Sequence, residues 1–300
     1  MASLQGITRR IRSVRSTRQI TKAMQMVAAS KLRRAQTAAL APRDYTVAAR
    51  ELLARLGSGT GASQHPLYQV RPVTKALVIV IAGDRGMSGG YNSNVMRSLG
   101  KLRRELGEAG LSAITIGARA GLYVAGASDV EELAAYDVEK HVASDIAVPV
   151  LREAVRMYED GEVDAVHLIY TKFVSTVKQE IQVRQLLPVV SANAVLASPR
   201  TSPAETLELA SPSTSAESEY EPEVEELIDY ATRRILEAEL TTAILESRAS
   251  EEAARMVAMM NATDNADEII GDLTLVLNNA RQAMITQEIS EITAGAEAIA

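Results

Sequence analysis

Between Pro222 and Ala300 the chain contains no proline, and its only glycines are Gly271 and Gly295. Proline removes a helical donor and glycine costs about 1 kcal/mol relative to alanine inside a helix, so nothing here obliges the backbone to leave an α-helix. The stretch 223–300 is therefore read as one uninterrupted helix. At about 1.5 Å rise per residue it would be a rod on the order of 110 Å long, far longer than a usual globular helix. A rod of that length has no core of its own. Its apolar positions Leu227, Ala231 and Ile235, then Ile269, Leu273, Val276, Ala280 and Met284, step by three and four residues. A stripe with that spacing needs a partner along its length.

The partner is at the other end of the chain. After Gly6 no proline occurs before Pro42 and no glycine before Gly57; Leu4, Ile7, Ile11 and Val14 open with steps of three and four, and Ile20, Met24 and Val27 resume after an offset. This predicts a second long helix over 1–60. The two form an antiparallel coiled coil, with the intervening chain folded out to the side. The spacing departs from a strict heptad, so the twist is expected to be irregular too. Composition agrees: 47% of the residues are hydrophobic but only 3% are aromatic, with one Phe and no Trp. Small and aliphatic side chains suit thin helix–helix contacts better than a thick globular core.

The middle, 75–195, alternates in character. Ala76–Ile81 is a continuous apolar run suited to a buried strand, followed by a glycine-rich loop and a helical stretch from about Asn92 to Glu108. Ala113–Ile116 reads as a second strand, Asp145–Tyr158 as a helix, Ala165–Tyr170 as an apolar strand and Val177–Leu187 as an alternating one. The fold class is thus α/β: a long antiparallel coiled coil of the terminal helices plus a small Rossmann-like domain with a mostly parallel sheet. Gly57–Ser63 is a flexible linker by composition, and a second linker, 196–222, is rich in Ser, Thr and Pro over Ala197–Ser218.

The loop Gly83-Asp84-Arg85-Gly86-Met87-Ser88-Gly89-Gly90 is where an enzyme reading would live. It lacks the Lys-Ser/Thr ending of a phosphate-binding loop and does not match G-x-G-x-x-G. Gly86–Gly90 does satisfy G-x-S-x-G between a strand and a helix, and Asp145 and His167 follow in hydrolase order. The alternative function is therefore a small α/β serine hydrolase with helical oligomerisation arms. Against it, about six residues separate Ser88 from the strand, where a nucleophile elbow sits directly on the strand end. The plainer reading is a turn whose glycines allow close contact with another backbone.

Other chemistries are narrowed by what the sequence holds. There is no cysteine, hence no disulfide framework or thiolate metal site. His65 and His141 are isolated and form no metal-ligand spacing, so no metal and no cofactor is expected. No run of 18 apolar residues exists, so no direct membrane insertion is expected. The net charge is −6, yet no acidic residue occurs up to Arg43, where ten Lys and Arg stand; the remainder therefore carries −16. A basic N-terminal helix also suits a presequence, an anionic lipid or a nucleic acid. The helix runs straight on from it, it has no aromatic residue for base stacking, and the whole chain is acidic, so nucleic acid is not expected as a partner.

Taken together, these residues resemble the gamma subunit, the central rotor shaft, of bacterial F-type ATP synthases, across essentially the whole length. The resemblance is carried by Ile11–Lys31 (IRSVRSTRQITKAMQMVAASK), Gly83–Asn92 (GDRGMSGGYN), Thr176–Glu180 leading to Leu186-Leu187-Pro188, and Ser250–Asn265 (SEEAARMVAMMNATDN) with Ile285–Glu288, Glu291 and Gly295-Ala296.

The resemblance implies a non-catalytic subunit that couples ion-driven rotation of a membrane ring to conformational cycling of catalytic sites on its neighbours. The implied partners are a hexameric ring of nucleotide-binding alpha and beta subunits, the epsilon subunit and the membrane c-subunit ring. The implied location is the cytoplasmic face of the bacterial inner membrane, as a peripheral protein. Carried over by motif, Met24, Arg255, Gln282 and Thr286 contact loops of the catalytic subunits, and Tyr220 and Glu221 lie near the membrane ring and the accessory subunit. The apolar turns from Ile289 to Ala300 would sit in a bearing. No cysteine-bearing insertion interrupts the middle domain, which sets the chain apart from light-regulated chloroplast forms.

Overall fold

The computed structural model describes residues 4–40, 65–107, 109–127, 129–138, 141–189 and 224–297. Two long helices, α1 (Leu4–Leu40) and α5 (Val224–Glu297), enclose an α/β domain in sequence. That domain runs β1 (Lys75–Ile81), α2 (Tyr91–Leu106), β2 (Gly110–Ile116), α3 (Ala118–Ala125), β3 (Val130–Tyr136), α4 (Ala143–Glu159), β4 (Ala165–Phe173) and β5 (Gln179–Leu187), preceded by a single 3-10 turn at Pro66–Tyr68.

α5 is 74 residues long, one unbroken helix as the absence of proline predicts. It pairs with α1 antiparallel. Arg18 meets Asp267 at 2.6 Å, the hydroxyls of Thr21 and Thr263 meet at 2.8 Å, and Lys31 approaches Glu252 at 3.7 Å, so the α5 number falls as the α1 number rises. The seam is built from small residues: Ala28, Ala249 and Ala253 are buried beside Leu32. Side chains of that size let the two backbones approach closely.

The sheet order is β3-β2-β1-β4-β5. The first four strands are parallel, and β5 returns antiparallel to β4. Alternation along β1 sorts the core into two layers. Ala76, Val78 and Val80 face α2 and α3 together with Val95, Leu99 and Val124. Leu77, Ile79 and Ile81 face the other side, where Ile146, Val150 and Ala154 of α4 pack together with Leu236, Leu240 and Ile244 of α5. β1 is apolar on both faces because helices cover both. The shaft helix is thus also a core element of the domain.

β3 and α3 were not legible. The sequence Val130-Glu-Glu-Leu-Ala-Ala-Tyr136 favours a helix by propensity, yet it forms the edge strand of the sheet, half of it exposed. The strand expected at Ala113–Ile116 begins three residues earlier, at Gly110. Residues 41–60 of the expected N-terminal helix, the linker residues 57–63 and 196–222, Tyr220 and Glu221, and the last three residues lie outside the described residues.

Candidate functional site

Open parallel sheets hold their ligands in the crevice beyond the strand carboxyl ends, where neighbouring connections leave in opposite directions. In this sheet β1 is flanked by β2 on one side and β4 on the other, so the crevice lies past the ends of β1 and β4. The glycine-rich loop that follows β1 forms one wall of it.

That loop is pinned from within. The Asn92 side chain bridges its two ends, its Oδ1 accepting from the Gly83 amide (2.9 Å) and its Nδ2 donating to Arg85 O (3.2 Å) and Ser88 Oγ (3.3 Å). Asp84 Oδ1 accepts from the amide of Ala118 at the start of α3 (3.0 Å) and from that of Val138 (3.4 Å). Met87 and Gly89 adopt positive φ, 62° and 58°.

α5 lies across the crevice and hydrogen-bonds to its walls. Ser247 Oγ accepts from the Thr171 amide (3.2 Å), Ser250 Oγ donates to Thr171 O (3.2 Å), and Tyr91 Oη donates to Ser247 O (3.2 Å). The last β1–β4 register pair is Val80↔Ile169, so Thr171 lies two residues beyond it and takes helix side chains in place of a neighbouring strand. These groups are buried, and unpaired backbone groups there would cost free energy, so the serines complete the sheet.

Glu251, one residue on, reaches the loop. A Cβ built on Gly83 would stand 2.5 Å from Glu251 Oε1, so any larger residue there would have to push the carboxylate aside. Arg255 Nη2 donates to Glu251 Oε1 (2.5 Å) and its Nη1 to Glu252 Oε1 (2.7 Å), and Lys31 of α1 approaches Glu252 from the other helix. Burial pushes the Glu251 carboxyl above its ordinary range despite Arg255, with Glu252 and Asp84 adding repulsion. On Arg255 burial opposes the charge, but the attraction of Glu251 and Glu252 outweighs it and the guanidinium is held more firmly protonated. Burial, reinforced by Glu251, pushes the Tyr91 phenol far up, so it serves as a neutral donor. Two carboxylates, Asp84 and Glu251, stand where a nucleotide fold would receive phosphates, with Arg85, Arg248 and Arg255 beside them.

The hydrolase constellation is not assembled. Ser88 is 2% exposed, and no hydrogen bond joins it to His167 or Asp145 among the described residues. His167 sits in mid-strand opposite Val78, where burial lowers its pKa, and Asp145 opens α4. Among the described residues no group of three or more His, Asp or Glu could hold a metal ion.

The residues carried over by motif fall into two groups. Met24 is half-buried and lies between the Thr21–Thr263 and Lys31–Glu252 crossings, on the same stretch of the helix pair as Arg255. Arg255 is 7% exposed and committed to internal partners. Gln282 and Thr286 are exposed and about 40 Å further along α5, with Thr286 Oγ1 donating to Gln282 O at 2.9 Å. Sequence reading gave no role to Ser247, nor to Ser250, which it named only as the first residue of the Ser250–Asn265 motif. Their only signal is polarity at positions that a coiled-coil pattern assigns to a surface.

Comparison with known proteins agrees along the whole chain. A family model described as ATP synthase matches residues 3–299. The ATP synthase gamma chain of Acidithiobacillus ferrooxidans is 42% identical, with all of both chains covered. That of Brevibacillus brevis is 40% identical over 98% of each chain. Among solved structures, one of the Tetrahymena thermophila mitochondrial ATP synthase central stalk and c-ring aligns at a TM-score of 0.59 and 23% identity, over 81% of this chain and 99% of that one. A structure of the Euglena gracilis mitochondrial ATP synthase aligns at 0.63 and 16% identity, over 99% of this chain and 94% of that one. On its sequence and over its full length, the chain belongs to the ATP synthase gamma-chain family.

Proposed function

We propose that this chain is the central-stalk rotor of a rotary, proton-translocating ATP synthase. It is a non-catalytic subunit: it carries motion, and the chemistry belongs to its neighbours. The observation that carries the reading is the division of α5 into three regimes along one rigid helix. Its lower part, Ile228–Ile244, is built into the α/β domain; its middle is paired with α1; and 281–294 are exposed all round. The α1–α5 register puts the start of α1 opposite about residue 280, so among the described residues the tip projects alone.

Such a body has no symmetry axis along its length. Inside a ring of three catalytic and three non-catalytic subunits it presents a different surface to each site. Driving one site almost completely between two states requires a difference in contact free energy of about 5.5 kcal/mol, and rotation hands that difference from site to site. Gln282 and Thr286, both exposed on α5, meet catalytic-subunit loops directly in this reading. Met24, half-buried, lies beside the exposed apolar side chains of Ile20, Met26 and Val27, and Arg255 acts through the carboxylates it holds. The exposed arginines of α1, Arg9, Arg10, Arg12 and Arg15, attract acidic levers of those subunits. Met284, Ile285, Ile289 and Ile292 give the tip an apolar surface suited to a bearing. Tyr220 and Glu221 belong near the membrane ring and the epsilon subunit. The chain reaches the cytoplasmic face of the bacterial inner membrane through the c-ring, since no described helix is long and apolar enough to cross a bilayer.

Affinity purification of the tagged chain from gently solubilised native membranes tests this. Recovery with two large nucleotide-binding subunits and a membrane ring protein is the expected result; recovery alone, as a soluble monomer, overturns it.

A further inference from the structure

We propose that the ligand crevice of the α/β domain has been given over to the shaft helix itself: Ser247, Ser250 and Glu251 occupy it as a bound ligand would, and as positioning residues they fix the angular setting of the domain on the shaft. The mechanical consequence rests on the rotor reading above; the geometry does not.

The apolar contacts between α5 and the domain, through Leu236, Leu240 and Ile244, are non-directional. They hold the helix against the sheet but set its angle less sharply than directional bonds do. Hydrogen bonds are directional. A turn of roughly 30° swings an atom about 5 Å from the helix axis by about 2.5 Å, which takes Ser247 and Ser250 out of reach of Thr171. Tyr91 fixes the same turn of helix from the α2 side, through Ser247 O. Glu251 adds a second contact, its carboxylate lying against Gly83 at the end of β1. Arg255 keeps Glu251 in that place. Burial of the seam excludes the water that would otherwise compete for these bonds. The seam is therefore a stop against torsion, and a rotor driven from its foot needs one where the domain meets the shaft.

The chain has no cysteine, so two spin labels can be placed without background, at Lys101→Cys on α2 and Asn278→Cys on α5, both exposed. The full-length protein is compared with the Ser247→Ala/Ser250→Ala pair and with Tyr91→Phe. Alanine is the better helix former and Phe keeps the ring volume, so α5 and the core survive both changes. The expected result is a narrow interlabel distance distribution that broadens in the serine pair and, to a smaller degree, in Tyr91→Phe. Exchange at the Thr171 amide should become about tenfold faster in the serine pair, the factor that loss of such a buried bond is worth. In reconstituted membranes the same pair should lower protons pumped per ATP hydrolysed. Unchanged distance widths and unchanged Thr171 exchange overturn the seam, and an unchanged pumping ratio overturns its mechanical role. Failure of the rotor reading is seen separately, in the copurification.

Discussion

Arg255 is held by two carboxylates inside the protein rather than offered at its surface. With its side chain 8% exposed and both forks of the guanidinium engaged, removing it leaves Glu251 buried without its cation and Glu252 with Lys31 alone, at 3.7 Å. Arg255→Ala should cost about 3–5 kcal/mol of stability, read by chemical unfolding of the purified chain. Arg255→Lys should recover only part of this, because an ammonium does not reproduce two bonds in fixed directions. A wild-type midpoint for Arg255→Ala would show that the site relaxes or takes in water. The same cluster sets a pH dependence. Burial raises the Glu251 carboxyl above its ordinary value of 4.5, so the folded chain holds this proton more tightly than the unfolded one does. Its contribution is present in full below the ordinary value and is lost as pH rises through the raised one. Glu251→Gln should flatten the unfolding free energy over that window; a slope equal to the parent's would assign the titration to another group.

At the scale of the element, α5 is one helix in three environments, and stability should follow the environment rather than the residue type. Leu240 is fully buried between the shaft and the sheet, whereas Ile289 is 57% exposed on the tip. In the isolated chain Leu240→Ala should cost about 2–5 kcal/mol and Ile289→Ala under about 0.5 kcal/mol. Equal costs would mean that the tip folds back on the body in solution. The long helices were legible because their signal, the lack of proline and glycine over many turns, is local and cumulative. β1 and the first part of β4 were legible because a run buried on both faces is mostly apolar. β3 was not: Glu131, Glu132, Ala134 and Ala135 prefer a helix, and the parallel pairing with β2 that overrides them is a long-range contact no local pattern reports. The serine seam was hidden for a related reason. Ser247 and Ser250 are meaningful only with Thr171 opposite, some 75 residues away in sequence. Arg255 could be placed on the helix by its motif, but its burial and its two partners belong to the folded chain alone.

At the scale of the whole molecule, the Rossmann-like domain has lost the usual purpose of its crevice and gained a mechanical one. A sheet whose switch point in other proteins receives a ligand here receives the shaft; on the function proposed above, that lets a body with no catalytic centre of its own pass torque from foot to tip. The measurement that tests this most directly is single-molecule rotation. The chain, with Lys101→Cys as its only cysteine, is assembled with the nucleotide-binding subunits, which are fixed to a surface, and a bead is attached to the label. ATP should drive the bead in one direction around a single axis, pausing at three positions per turn, one for each catalytic site. Steady ATP hydrolysis by the same assemblies with the bead at rest would contradict the account.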